Sequence, residues 1–230
     1  MAGKFNLYDF IAVVIPGLLF LWVMSMLADQ FGITISIPFS GGIGETSVLV
    51  ALSYVMGLLL QGVSQGITEK ILLWVWGGFP SARWLLPEDT RLSTEYKNKI
   101  FRVVQQKFDI SMNGVGKDLP PKEKRSALIK KNQEIFYICY SAVEKEKISD
   151  KPQIFNAQYG LFRCLLTAFL IIAVVDLSMI ISSDISRNKF LLIILVFSIV
   201  GLVLSYLRIQ KRAEDFAKSI YDLFLVHYGT

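Results

Sequence analysis

The sequence predicts an all-α polytopic membrane protein with four transmembrane helices, a cytoplasmic helical hairpin and an amphipathic C-terminal helix. Three observations carry that prediction. Of the 230 residues 53% are hydrophobic, with a mean hydropathy of +0.48, against about 45 to 50% apolar residues in an ordinary soluble domain. The excess is concentrated in four runs, 10–28, 46–63, 164–181 and 190–207, each long enough at about 1.5 Å per residue to cross most of the roughly 30 Å of bilayer hydrocarbon. The charges between the runs are lopsided, and they orient the spans.

With both termini on one side, 22 of the 24 Lys and Arg residues fall on that face, and the loop 29–45 has none. The positive-inside rule makes that face cytoplasmic. The basic balance, net +5, is therefore a topology signal first and an attraction to anionic headgroups second. The chain divides into 1–84 (the first two helices and an interfacial aromatic helix), 85–156 (a cytoplasmic helical segment), 157–208 (helices three and four) and 209–230 (a cytoplasmic tail).

The first span is expected to begin near Leu7, where Asn6 and Asp9 resemble a capping box and an anion favours the helix start. Its apolar run is longer than that of a signal peptide and lacks the paired small residues of a cleavage site, so it reads as a retained anchor. Pro16-Gly17 interrupts it; proline removes a backbone donor and crowds the previous turn, which predicts a kink or hinge. The external loop alternates apolar and polar residues from Gly32 to Pro38, as a short extended segment would. Gly41-Gly42-Ile43-Gly44-Glu45 lacks the Lys-Ser/Thr of a phosphate loop and is discarded as one.

The second span carries small residues at helical spacing, Ser53 with Gly57 and Gly62 with Gly66, which permit close helix packing, within the chain before any dimer face. Trp74, Trp76 and Trp84 follow, and tryptophan favours the headgroup region, so this stretch reads as an interfacial helix with the three as anchors. Amphipathic helices are expected over 92–109, with Tyr96, Ile100, Val104 and Phe108 on one face, and over 122–147, with Leu128, Ile135, Phe136, Cys139 and Val143. Asn113-Gly114 and Pro120-Pro121 mark the turn between them. A further helix starts near Pro152 and enters the third span. The tail repeats the pattern through Ile209, Ala213, Phe216, Ala217, Ile220, Leu223 and Phe224 and is expected to pack on the cytoplasmic helices.

Chemistry-bearing patterns are sparse. His227 has no companion ligand, and no Cys/His cluster, Walker lysine or nucleophile elbow occurs, so the chain reads as non-enzymatic, without cofactor, metal or catalytic residues. Cys139 and Cys164 read as small buried apolar side chains with reduced thiols. Asp176 is the exception, because a carboxylate well inside a span costs about 2.5 to 3.5 kcal/mol and must face protein or water. Counting from the span ends places Ser53 and Tyr54 nearest it in depth, and these three residues form the expected intramembrane polar site. Arg163, thirteen residues away on the same helix, cannot pair with Asp176 and is expected to reach the inner headgroups as a fourth anchor.

Asn6-Leu7-Tyr8-Asp9-Phe10 leading to Pro16-Gly17, with Tyr159-Gly160-Leu161-Phe162-Arg163 entering the third span and a basic amphipathic tail, resembles small bacterial membrane proteins encoded near phage-defence genes. The Kiwa-type membrane subunit is one example of that class. The resemblance implies a multi-pass protein of the bacterial inner membrane, a sensor or effector with a cytosolic partner. Expected partners are the lipid bilayer and a soluble cytosolic protein, with homo-oligomerisation open and nucleic acid disfavoured. The alternative function is an oligomeric pore or transporter organised around Asp176.

Overall fold

A computed structural model describes residues 7–30, 32–33, 42–110, 120–182 and 189–229. These residues are helical, with no strand among them. The helices are α1 (Leu7–Asp29), α2 (Ile43–Val63), α3 (Glu69–Trp76), α4 (Pro80–Arg83), α5 (Thr94–Phe108), α6 (Pro121–Lys145), α7 (Asp150–Ser182) and α8 (Lys189–Tyr228). Four stretches are long and apolar enough to cross a membrane: Ala12–Asp29, Ile43–Arg83, Asp150–Ser182 and Lys189–Tyr228. The chain is thus an all-α polytopic membrane protein. The Asn6 end of the expected capping box, the extended segment beyond Ile33 with Gly41, and the turn at Asn113-Gly114 lie outside the described residues.

Two compact units emerge, Met1–Ile71 with Ala157–Gln210, and Leu72–Asn156 with Lys211–Thr230. The first holds the apolar spans. In it α1 runs unbroken through Pro16, and one apolar cluster joins Val23 and Leu27 of α1, Ile172 and Met179 of α7, and Leu191 and Ile194 of α8.

The second unit has its own core, built from four separate stretches of chain. Trp84 and Leu85, then Ile100 and Val104 of α5, then Ile135, Cys139 and Val143 of α6 close around Ala217, Ile220, Tyr221 and Phe224 of α8. Helix α5 starts where Ser93 accepts a hydrogen bond from the Tyr96 amide (3.2 Å) and stops at Asp109, whose φ of 54° ends the helical path. Three buried polar side chains are tied to backbone carbonyls: Asn132 Nδ2 donates to Ala82 O (3.0 Å), Tyr221 OH to Ser81 O (2.7 Å), and Lys97 Nζ to the carbonyls of Leu86 (2.7 Å) and Asp89. Each bond prevents the cost of about 1 to 3 kcal/mol that an orphaned buried group carries.

Two expectations are corrected here. No separate interfacial helix follows α2, because α3 continues it through a wide turn at Ser64–Thr68. Trp76 and Trp84 are buried, Trp84 inside the second core, and only Trp74 is exposed as an anchor would be. The end of α8 supplies much of the core of this unit, in keeping with the expectation that the tail packs on the cytoplasmic helices.

Candidate functional site

The crossing of α1 and α2 is a backbone contact. A Cβ on Gly17 would lie 1.9 Å from the Ser53 carbonyl oxygen, and one on Gly57 would lie 2.0 Å from that of Val13. The Ser53/Gly57 pattern is therefore an intramolecular packing device, and Pro16-Gly17 is clamped against α2 at the place where a hinge was expected. Tyr54 stacks on Phe10 with ring centroids 5.7 Å apart. Gly62 and Gly66 face open space, with nothing within 4 Å of an added Cβ; they are not a packing face among the described residues.

Past Gly57 the buried positions of the continuing helix are Leu60, Ser64, Thr68, Leu72 and Trp76, each four residues after the last. At about 100° per residue an α-helix drifts about 40° at each such step. The turn at Ser64–Thr68 is π-helical, with the Glu69 amide bonded to the Ser64 carbonyl five residues back, and its wider winding takes up the drift. The result holds Ser64, Thr68 and Glu69 against α7.

There they meet Arg163. Its guanidinium forms an ion pair with Glu69 through Nη1, donates from Nε to Ser64 Oγ (3.2 Å), and lies 5.3 Å from the centroid of the Tyr159 ring. The Arg163 side chain is only 7% exposed. Ser64 Oγ in turn donates to Gln61 O (2.9 Å), and Cys164 Sγ lies 3.9 Å from Ser64 Oγ. Thr167 Oγ1 donates to Arg163 O (3.0 Å), so in its 2.7 Å bond with Thr68 the proton comes from Thr68. Arg163 is thus a buried pair member and not a headgroup anchor. Its partner, Glu69, lies on the neighbouring helix, which spacing along α7 alone does not show.

Asp176 is fully buried, as its cost demanded, but neither carboxylate oxygen has a hydrogen-bond partner. The expected bond to Ser53 or Tyr54 is not made, and helix register gives the reason. Phe169 of α7 packs edge-to-face on Phe197 (5.6 Å) and lies beside Gly201 of α8, where an added Cβ would be 2.5 Å from its ring. Seven residues further along α7, Asp176 is level with Leu191 and Ile194 and with the Val23–Leu27 turn of α1. Ser53 is level with Gly17, about eight residues or roughly 12 Å away along the bundle. Ser53 Oγ and Ser198 Oγ are also buried without a partner.

In the second unit an open groove of about 330 Å³ is lined by Phe108, Tyr137, Ile138, Ser141, Ala142 and Lys145. Its walls are largely apolar, and Tyr137 is 59% exposed. His227 Nε2 lies 3.5 Å from Glu146 and is a surface contact. Among the described residues no group of three or more His, Cys, Asp and Glu is placed to hold a metal ion.

No protein-family model, curated protein or solved structure matches the chain.

Proposed function

We propose that the chain is a non-enzymatic integral membrane subunit, a sensor, scaffold or effector of the kind used in bacterial phage defence, that docks a soluble cytosolic protein. The observation that carries the reading is the groove of the second unit: a folded, polar-surfaced body with its own core leaves an aromatic, largely apolar recess open to solvent, with Lys145 at its edge. Interfaces gather their energy at aromatic anchors ringed by polar side chains. The distribution of 22 of 24 basic residues supports an inner-membrane topology with both termini and this unit in the cytoplasm.

The test is quantitative co-purification from native membranes with the wild type and with Tyr137→Glu, which adds a charge inside the recess. Specific partners should fall at least tenfold with the variant while the amount of membrane-inserted protein holds. Equal recovery from both proteins removes the groove as the docking surface. Reporter fusions should read cytoplasmic at Lys117 and Thr230 and external at Gly42 and Asp184; a cytoplasmic signal at Gly42 overturns the topology.

A further inference from the structure

A second feature, independent of docking, lies in the second unit. That unit holds 18 Lys and Arg residues against 13 Asp and Glu, which is the whole of the chain's net charge of +5. Part of the excess gathers where α7 begins and α8 has left its apolar run. Lys151 Nζ lies 5.9 Å from the centroid of the Phe155 ring, and the Arg212 guanidinium carbon lies 5.6 Å from the same centroid. The two charges are therefore no more than about 11.5 Å apart, the two distances taken together. A ring face attracts a cation, but two cations on one ring repel each other.

Carboxylates do not make up the difference. Asp215 lies 3.1 Å from Arg212 Nη1 and 3.4 Å from Lys211 Nζ, so one acid serves two cations. Glu214 is spent on Arg91 (3.0 Å). Lys151 forms no ion pair among the described residues, not even with Asp150 beside it in the chain. Arg212 also keeps a buried donor in hand: its Nε has no hydrogen-bond partner among the described residues, and a buried N–H calls for an acceptor.

The position names that acceptor. The fourth apolar run ends at residue 207, and Leu207 is 56% exposed, as a lipid-facing side chain is. Arg212 follows five residues on, about 7 to 8 Å along α8. The headgroup layer is about 5 to 7 Å thick on each face of a bilayer, so a long basic side chain rooted at that depth reaches into it. Phosphate is the anion of that layer, and its oxygens suit the planar fork of a guanidinium.

We propose that Arg212 and Lys151, gathered on the Phe155 ring, bind the phosphate of an anionic phospholipid. Arg212 donates N–H groups that Asp215 does not use, and Lys151 closes on the same phosphate from its flexible stem. The uncompensated positive charge favours an anionic headgroup over a zwitterionic one, whose own ammonium it repels.

The experiment is native mass spectrometry of the full chain, released from micelles holding equal amounts of phosphatidylglycerol and phosphatidylethanolamine. Wild-type protein should retain phosphatidylglycerol in preference. Lys151→Gln removes an exposed cation that has no ion-pair partner, and it should lower that retention about fivefold, the worth of one basic side chain at an anionic surface. Arg212→Gln should lower it at least as far, and Lys151→Gln carries the test alone if Arg212→Gln does not fold. Lys130→Gln removes the same charge from an exposed position on α6 and should match the wild type. Inorganic phosphate in excess should leave the lipid in place, because it has no acyl chains to hold it at the membrane. Equal retention of both lipids by the wild type, unchanged retention in Lys151→Gln, an equal fall in Lys130→Gln, or displacement of the lipid by inorganic phosphate each overturns the proposal.

Discussion

Gly17→Ala tests the closest helix contact. The added methyl carbon would be placed 1.9 Å from the Ser53 carbonyl oxygen, 2.7 Å from the Gly57 amide nitrogen and 2.9 Å from the Ser53 carbonyl carbon. All three are backbone atoms of α2, so no rotamer change relieves the clash. Ordinary contact begins near 3.4 Å, so the helices must separate locally by about 1.5 Å. That gap also strips contacts from the neighbouring Val13–Gly57 crossing. Overpacking of this kind costs about 1 to 3 kcal/mol, and the immobile obstacle argues for the upper end. At 1.4 kcal/mol per decade the unfolding equilibrium shifts about five- to more than a hundredfold. Reversible unfolding in mixed micelles, followed by far-ultraviolet circular dichroism, reads the shift. Gly62→Ala and Gly66→Ala are internal controls, since nothing lies within 4 Å of either new methyl; neither should destabilise, and the helix preference of alanine over glycine stabilises by up to about 1 kcal/mol. If Gly17→Ala costs no more than Gly62→Ala, the backbone-contact account of α1 and α2 fails.

Other outcomes follow from the same geometry. Arg163→Leu leaves Glu69 without its partner and Ser64 Oγ without a donor, so it should destabilise by about 3 to 5 kcal/mol, with much of the loss recovered in the double variant Arg163→Leu/Glu69→Leu; a double variant no better than the single refutes the pairing. Tyr221→Phe removes the 2.7 Å bond to Ser81 O and should cost about 1 to 3 kcal/mol. Burial, with the bond to Asp222, holds the Tyr96 phenol above its ordinary value of 10.0. Its stabilising contribution is complete below that value and is lost as pH rises beyond it, so alkaline unfolding should flatten in Tyr96→Phe. Burial also pushes the Cys139 thiol up, and maleimide labelling followed by mass spectrometry should find it unmodified until the protein unfolds.

Much of the fold was legible because it rests on local patterns. Apolar runs of bilayer length, the predicted start of α1 at Leu7, and the three- and four-residue spacing of Ile209, Ala213, Ala217, Ile220 and Phe224 all correspond to the structure. Trp84 was misplaced because the preference of tryptophan for headgroups is a compositional tendency, whereas its real surroundings come from α5, α6 and the end of α8, the last more than 130 residues along the chain. Asp176 could be predicted to face inward from energy alone. Its expected partner could not, because span ends were used as rulers of depth, and helices that cross at Gly17–Ser53 and at Phe169–Gly201 do not share a common origin.

The Glu69–Arg163 pair shows what a period can reveal once it is counted strictly. Apolar positions alone place Leu60, Leu72 and Trp76 on the helix after Gly57, and their separations of twelve and four residues fit no single α-helical stripe. Adding Ser64 and Thr68 turns the set into five positions at an interval of four, wider than the 3.6 of an α-helix. A face with that interval stays on one side only if the helix widens somewhere, and the π-helical turn at Ser64–Thr68 is where it does. The widening also explains why Glu69 reaches α7. A buried polar pair at the midpoint of such an interval implies a polar counterpart on the neighbour, and Arg163 and Thr167, one turn apart on α7, supply it.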